Sequence, residues 1–216
     1  AGELGVNPDD ATKRLYALLE QLYVDDLPLA QARDGSDLLL HIEGAAVVAD
    51  PRLSLISNIF NNVKVQVRDL TKAISGILPQ QKVSPKEIDL GLSGLARGSL
   101  YLGFSVPIPG ETGDQHHLLG EHDTLYRATK NALATIVSVS HTFDAVDDSF
   151  DPDKVAGLVE DPKIRDAALV AVQRIAPSGR QGVSSISVSS PMHSSEGGAL
   201  TPAARNSIRR MLVDPV

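Results

Sequence analysis

From Leu53 to Ile77 the apolar residues Leu53, Ile56, Phe60, Val63, Val67, Leu70, Ile74 and Ile77 advance in alternating steps of three and four. Side chains so spaced fall along one stripe of an α-helix, because each turn takes 3.6 residues. A stripe of this length demands an equally long partner surface, either a second copy of the helix or the face of the chain's own sheet. Coiled coils set complementary charges beside the seam, but here the flanking positions are Ser54, Leu55, Asn61, Asn62, Arg68, Asp69, Ser75 and Gly76. The spacing therefore predicts an intramolecular core helix that starts after Pro51, is stopped by Pro79 and packs on the protein's own strands. The alternative is a homodimerisation module through Phe60, Val67 and Ile74 of the same helix.

The sheet that such a helix needs is legible on either side of it. Leu38, Leu40 and Ile42 alternate with Leu39, His41 and Glu43, which predicts a half-buried strand. Ile88, Leu90 and Leu92, then Leu100, Leu102, Phe104 and Val106, form two alternating runs joined by Gly94-Leu95-Ala96-Arg97-Gly98, the pattern of a β-hairpin. Ile186 and Val188, in the Ser-rich stretch from Val183 to Ser189, predict a last strand at an edge or a loop.

Helix starts are marked five times by a capping residue followed by proline: Asn7-Pro8, Asp50-Pro51, Asp151-Pro152, Asp161-Pro162 and Thr201-Pro202. The first opens an amphipathic helix with Ala11, Leu15, Leu18, Leu19 and Leu22 on one face, expected to stop by Asp26 because Pro28 disfavours helical geometry at Leu27. A further helix is expected from about Asp123 to His141. These elements do not alternate regularly. The expected fold class is therefore α+β: an antiparallel or mixed sheet of about four strands with a central hairpin, covered by the long helix and several shorter ones. Residues 1–190 are read as one domain and 191–216 as a Ser/Gly linker with a terminal helix. Apolar Leu212, Val213 and Val216 at the end suggest a module that leads into something longer.

Composition narrows the function by exclusion. The 216 residues carry a net charge of -7, which opposes binding to phosphate backbones, and the densest basic group, Arg205, Arg209 and Arg210, reads as a solvated helix face. Tyr101 beside the Arg97 turn is the one aromatic neighbour suited to stacking on a base, and an ordinary sheet Tyr explains it. No run long enough to span a membrane occurs, and a cytoplasmic protein with neither nucleic-acid nor membrane partners is expected. The absence of cysteine removes thiolate ligands and nucleophiles.

Catalytic residue types concentrate in His116-His117-Leu118-Leu119-Gly120-Glu121-His122-Asp123, where imidazoles and a carboxylate would hold a metal or move protons. His117 and His122 are five apart across a glycine, so one helical turn does not present them together; capping by Asp123 accounts for the carboxylate. The wider metal-ligand candidates are His117, His122, His141 and Asp144. The acidic run Asp144, Asp147, Asp148, Asp151 and Asp153 has the wrong spacing for a calcium loop, because Pro152 and Leu158 fall where glycine and glutamate are needed. Gly91, Gly94 and Gly98 lie in a hairpin and not before a helix, and Ser93 lacks the turn of a nucleophile elbow. No cofactor is predicted. The expected function is a noncatalytic protein-interaction or regulatory domain, with a protein partner or self-association; the alternative is a metal-dependent hydrolase using His116, His117, His122 and Asp123.

Overall fold

The structure is a computed structural model that describes residues 8–48, 50–76, 88–96, 100–108, 121–143, 152–191 and 195–213. Helix α1 spans Pro8–Gln21, a π-helical turn Leu22–Asp26 and α2 Leu27–Asp34; β1 spans Leu38–Glu43 and α3 Leu53–Ser75. There follow β2 Gly91–Ala96, β3 Leu100–Ser105, α4 Glu121–His141, α5 Pro152–Leu158, α6 Pro162–Ile175, β4 Ser185–Ser190, β5 Ser195–Leu200 and α7 Pro202–Val213. The five strands form one antiparallel sheet in the order β2-β3-β1-β4-β5.

The register sets Leu38, Leu40 and Ile42 of β1 beside Phe104, Leu102 and Leu100 of β3 and, for the last two, beside Val188 and Ile186 of β4. Period-two alternation sends all of these to one face, where they share a core with α3, α4, α6 and α7. The long helix is therefore a core helix, but its buried stripe is Leu55, Ile59, Val63, Val67 and Leu70, rotated at the N-terminal end away from the expected row. Leu53, the first residue of that row, is 83% exposed. Its main partners are α4 and α6 rather than the strands themselves, with Phe60 reaching the sheet by an edge-on contact to Phe104 at 5.6 Å. Gly76, in the left-handed conformation at φ 65°, ends it; Ile77 lies outside the described residues.

Helices α1, α5, α6 and α7 begin at the expected prolines, Pro8, Pro152, Pro162 and Pro202, while the capping residues Asn7 and Asp151 lie outside the described residues. Asp161 accepts from the backbone N–H of Lys163 at 2.8 Å and of Ile164, and Thr201 accepts from Ala204. Asp50-Pro51 does not open a helix at its proline: α3 begins at Leu53 after an extended Arg52.

Four expectations need correction. The first strand of the hairpin is Gly91–Ala96, so Gly94, Leu95 and Ala96, expected in the turn, pair with β3 instead, and a register shift between Leu92 and Gly94 leaves Leu92 and Leu95 exposed where one apolar face was expected. The first helix does not stop by Asp26, because the chain runs on through the π turn, where the Leu27 N–H bonds the Leu22 carbonyl and Pro28 takes a first-turn position of α2. A widened turn absorbs the proline, which has no N–H and would crowd the carbonyl four residues back. Ser185–Ser190 is neither an edge nor a loop but an inner strand, covered on its far side by β5. The supposed linker supplies β5 itself, so the boundary drawn after residue 190 falls between two paired strands, and Leu200, Ala204 and Ile208 belong to the main core. Gly198 permits this, since a Cβ there would stand 2.8 Å from His141 Cα at the end of α4.

One buried ionic link ties the layers. Asp37 accepts from Lys130 Nζ of α4 at 2.6 Å and from the Val106 N–H beyond β3 at 2.7 Å, while its own N–H donates to Phe104 O. Burial pulls the Lys130 ammonium down, but the hydrogen bonds and charges of Asp37 and Tyr126 together outweigh it and hold its pKa above the ordinary lysine value.

Candidate functional site

The residues singled out in the sequence scatter. His116, His117 and Asp144 lie outside the described residues, as do Asp147, Asp148 and Asp151 of the acidic run. His122 and Asp123 fall within the first turn of α4, which starts at Glu121, so Asp123 does not precede the helix as a cap. His141 is the exposed last residue of the same helix. At 1.5 Å per residue the two ends stand about 28 Å apart, so His122 and His141 cannot ligate one ion. Among the described residues no group of three or more His, Asp or Glu is placed to hold a metal. Val67 is fully buried in the chain's own core, and Phe60 and Ile74 pack partly buried against it.

A different surface stands out at the other face of the sheet. There the strands present Leu39, His41 and Glu43, flanked by Gly103 and Tyr101 on β3 and by Ser189, Ser187 and Ser185 on β4. Helix α2 covers the β2-β3 end of this face through Ala32, which approaches so closely that a Cβ on Gly94 would lie 2.5 Å from Ala32 Cα. Gly103 is under the same constraint, with Ala32 O 2.8 Å from where its Cβ would be. Ser36, just past α2, bonds Ala32 O and reaches Ser93 Oγ at 2.7 Å, which gives Ser93 a structural role at the bulge of β2. These contacts also bury Ala32, Leu39 and Ala96.

Beyond α2 the face is open and polar. His41 stacks on Tyr101 with ring centroids 4.2 Å apart, and Ser185 donates to Glu43 at 2.9 Å. His41 Nε2 is shielded from water and stands 3.7 Å from Glu43 Oε1, too far for a hydrogen bond. Desolvation, with a smaller push from Arg33, outweighs the attraction of Glu43 and lowers the His41 pKa below 6.5.

From this anchored α2 the π turn and α1 extend as an arm. Leu15, Tyr16, Leu18 and Leu19 of α1, Leu22, Tyr23 and Val24 of the π turn, and Leu27 of α2 are all exposed. At roughly 100° per residue, the four on α1 occupy an arc about 160° wide. The helix has the amphipathic pattern of a core element, yet its main neighbour among the described residues is the π turn that follows it. The amphipathic face was legible in the sequence; its exposure was not, because an apolar stripe reads the same whether or not something covers it.

Comparison with protein-family models, with curated proteins and with solved structures returns no significant match to the chain.

Proposed function

We propose that the chain is a noncatalytic protein-interaction or regulatory domain that engages a protein partner through the apolar side of the N-terminal arm. The observation that carries this reading is the exposure of eight large apolar side chains between Leu15 and Leu27, on an element whose main neighbours among the described residues are its own π turn and α2. Burying a leucine contributes about 1.5–3 kcal/mol, so a partner that covered several of them would gain most of its affinity here. A single helix of fourteen residues is marginal in water, and a binding surface would stabilise it as it docked.

The test is made on the isolated chain. Light scattering first establishes the monomeric concentration range. Within it, amides of residues 8–24 are expected to exchange with solvent far faster than those of α3, and an apolar dye is expected to bind. Replacing Leu15, Leu18 and Leu22 together by Ser should abolish dye binding and leave the melting temperature of the body unchanged. Slow exchange across residues 8–24 in the monomer, or dye binding indifferent to the triple substitution, would remove the proposal.

A further inference from the structure

Separate from the arm and from the polar face, a groove of about 210 Å³ opens between the first half of α3, the α6-β4 connection and α7. Leu55, Ile59, Val183 and Ile186 give it an apolar lining. Asn58 and Asn62 of α3, Ser178 and Gln181 of the connection, Arg174 of α6 and Arg205 of α7 supply the polar groups. The two arginines come from helices that meet only in the folded chain, and among the described residues no acidic side chain lines the groove with them.

Arg205 is fixed in place. Its Nη1 donates to Ala176 O, the carbonyl just past α6, at 2.5 Å, which uses one of the five guanidinium N–H donors. That bond alone would make Arg205 a helix-end cap, a common structural use of arginine. It does not account for Arg174 lining the same groove, nor for the amides of Asn58 and Asn62 on the opposite wall. Among the described residues neither arginine pairs with a carboxylate. Partial burial and repulsion from Arg174 and Arg209 hold the Arg205 pKa below its ordinary value, although the group stays cationic at neutral pH. Two cations facing one recess without a counter-charge would be relieved by an anion with oxygens for planar, forked donors.

We propose that this groove binds a small organic oxyanion, its phosphate or carboxylate held by Arg174 and Arg205 and its short apolar body against Leu55 and Ile59. The volume lies below the roughly 300–1,000 Å³ of drug-sized sites, which restricts the ligand to a small one. The amides of Asn58, Asn62 and Gln181 offer both donors and acceptors for the remainder of the ligand.

Phenyl phosphate, benzoate and inorganic phosphate are the probes, titrated into the full chain at constant ionic strength and followed by amide and side-chain nitrogen NMR shifts. Saturable shifts are expected at Asn58, Asn62, Gly179 and Arg174 with at least one of the two aromatic probes. The stronger of these distinguishes a phosphate from a carboxylate ligand, and inorganic phosphate should bind more weakly than the better of them. Arg174→Gln, at an exposed position that leaves the Arg205 bond to Ala176 intact, should weaken binding at least tenfold. Arg210→Gln, elsewhere on α7, should leave it unchanged. Linear, unsaturated shifts with all three probes would overturn the proposal, and so would equal weakening by Arg174→Gln and Arg210→Gln, which would mark general attraction to a basic surface.

Discussion

Helices α1 and α3 carry the same kind of message and meet opposite fates. Both present leucines and other large apolar residues at helical spacing, yet α3 seals Val63, Val67 and Leu70 almost completely while α1 leaves Leu15, Leu18 and Leu19 in water. The difference lies in what precedes and follows each helix. Between β1 and the hairpin, α3 is delivered onto the layer shared with α4 and α6, all of them on the Leu40 side of the sheet. Helix α1 leads instead into α2, which takes the small area that glycines make available on the other face, and among the described residues the main neighbour of α1 is the π turn that follows it. An amphipathic stripe is a demand for a partner; topology decides whether the chain supplies one itself.

The harshest way to separate the two helices is to charge each stripe. Val67→Asp places an ionisable group where no water reaches and no partner waits, and should cost more than about 4 kcal/mol. That is a large share of the roughly 5–15 kcal/mol of an ordinary domain. Chemical denaturation, or loss of soluble folded protein, reads the effect. A Val67→Asp chain as stable as the parent would place α3 outside the core and erase the contrast with α1.

A smaller effect is expected where α2 meets the sheet, since that joint is what holds the arm to the body. Gly103→Ala would push a methyl group into the space between Ala32 O and Ser93 Oγ, and the new carbon would come within 2.6 Å of that hydroxyl oxygen. Overpacking of this kind costs about 1–3 kcal/mol. Because the strain falls on α2 and not on the α3 side, amide exchange should accelerate across residues 27–36 well before it does in α3. Uniform acceleration would mean that both sides of the sheet unfold as one unit.

Acid should weaken the α2 side of the sheet in particular. The His41 pKa is lowered in the folded chain, so between that value and 6.5 the unfolded chain binds more protons. The stabilisation is complete above 6.5 and is lost as pH falls through the folded pKa. Relative to His41→Gln, the parent should lose stability on acidification from pH 7.5 to 5. A gap between the two that stays constant with pH would mean that His41 is freely solvated and that the polar face is more open than its shielded Nε2 implies.

Much of the architecture was readable because it rests on local periodicity. The second strand of the hairpin, the strand at Leu38, the length of α3 and four helix starts at proline follow from spacing and backbone chemistry that act within a few residues, whereas the bulge that shifts β2 does not. The strand β5 was hidden because Ser195, Gly197 and Gly198 resemble a linker, and only pairing with β4 and the close approach of α4 explain Gly198. The arm and the groove were illegible for a related reason. Exposure of Leu18 depends on what the fold sets beside it, and the meeting of Arg174 with Arg205 depends on α6 packing against α7 across thirty intervening residues. The basic group Arg205, Arg209 and Arg210 reads in sequence as one solvated face; in the fold Arg205 turns into the groove while Arg209 and Arg210 stay exposed.

The smallest change is the most discriminating. Leu18→Ser removes an apolar side chain that already sits in water at 64% exposure, so it forfeits almost no burial, and the propensity difference between the two residues is slight. Its cost should stay within about 0.5 kcal/mol, as for ordinary surface substitutions. Truncation at Leu70, as Leu70→Ala, should cost about 2–5 kcal/mol because a fully enclosed side chain leaves a cavity. Both are measured by urea denaturation of the monomer. If Leu18→Ser cost as much as Leu70→Ala, the arm would be folded against the body in solution, and the two helices would differ in position along the chain but not in what they do.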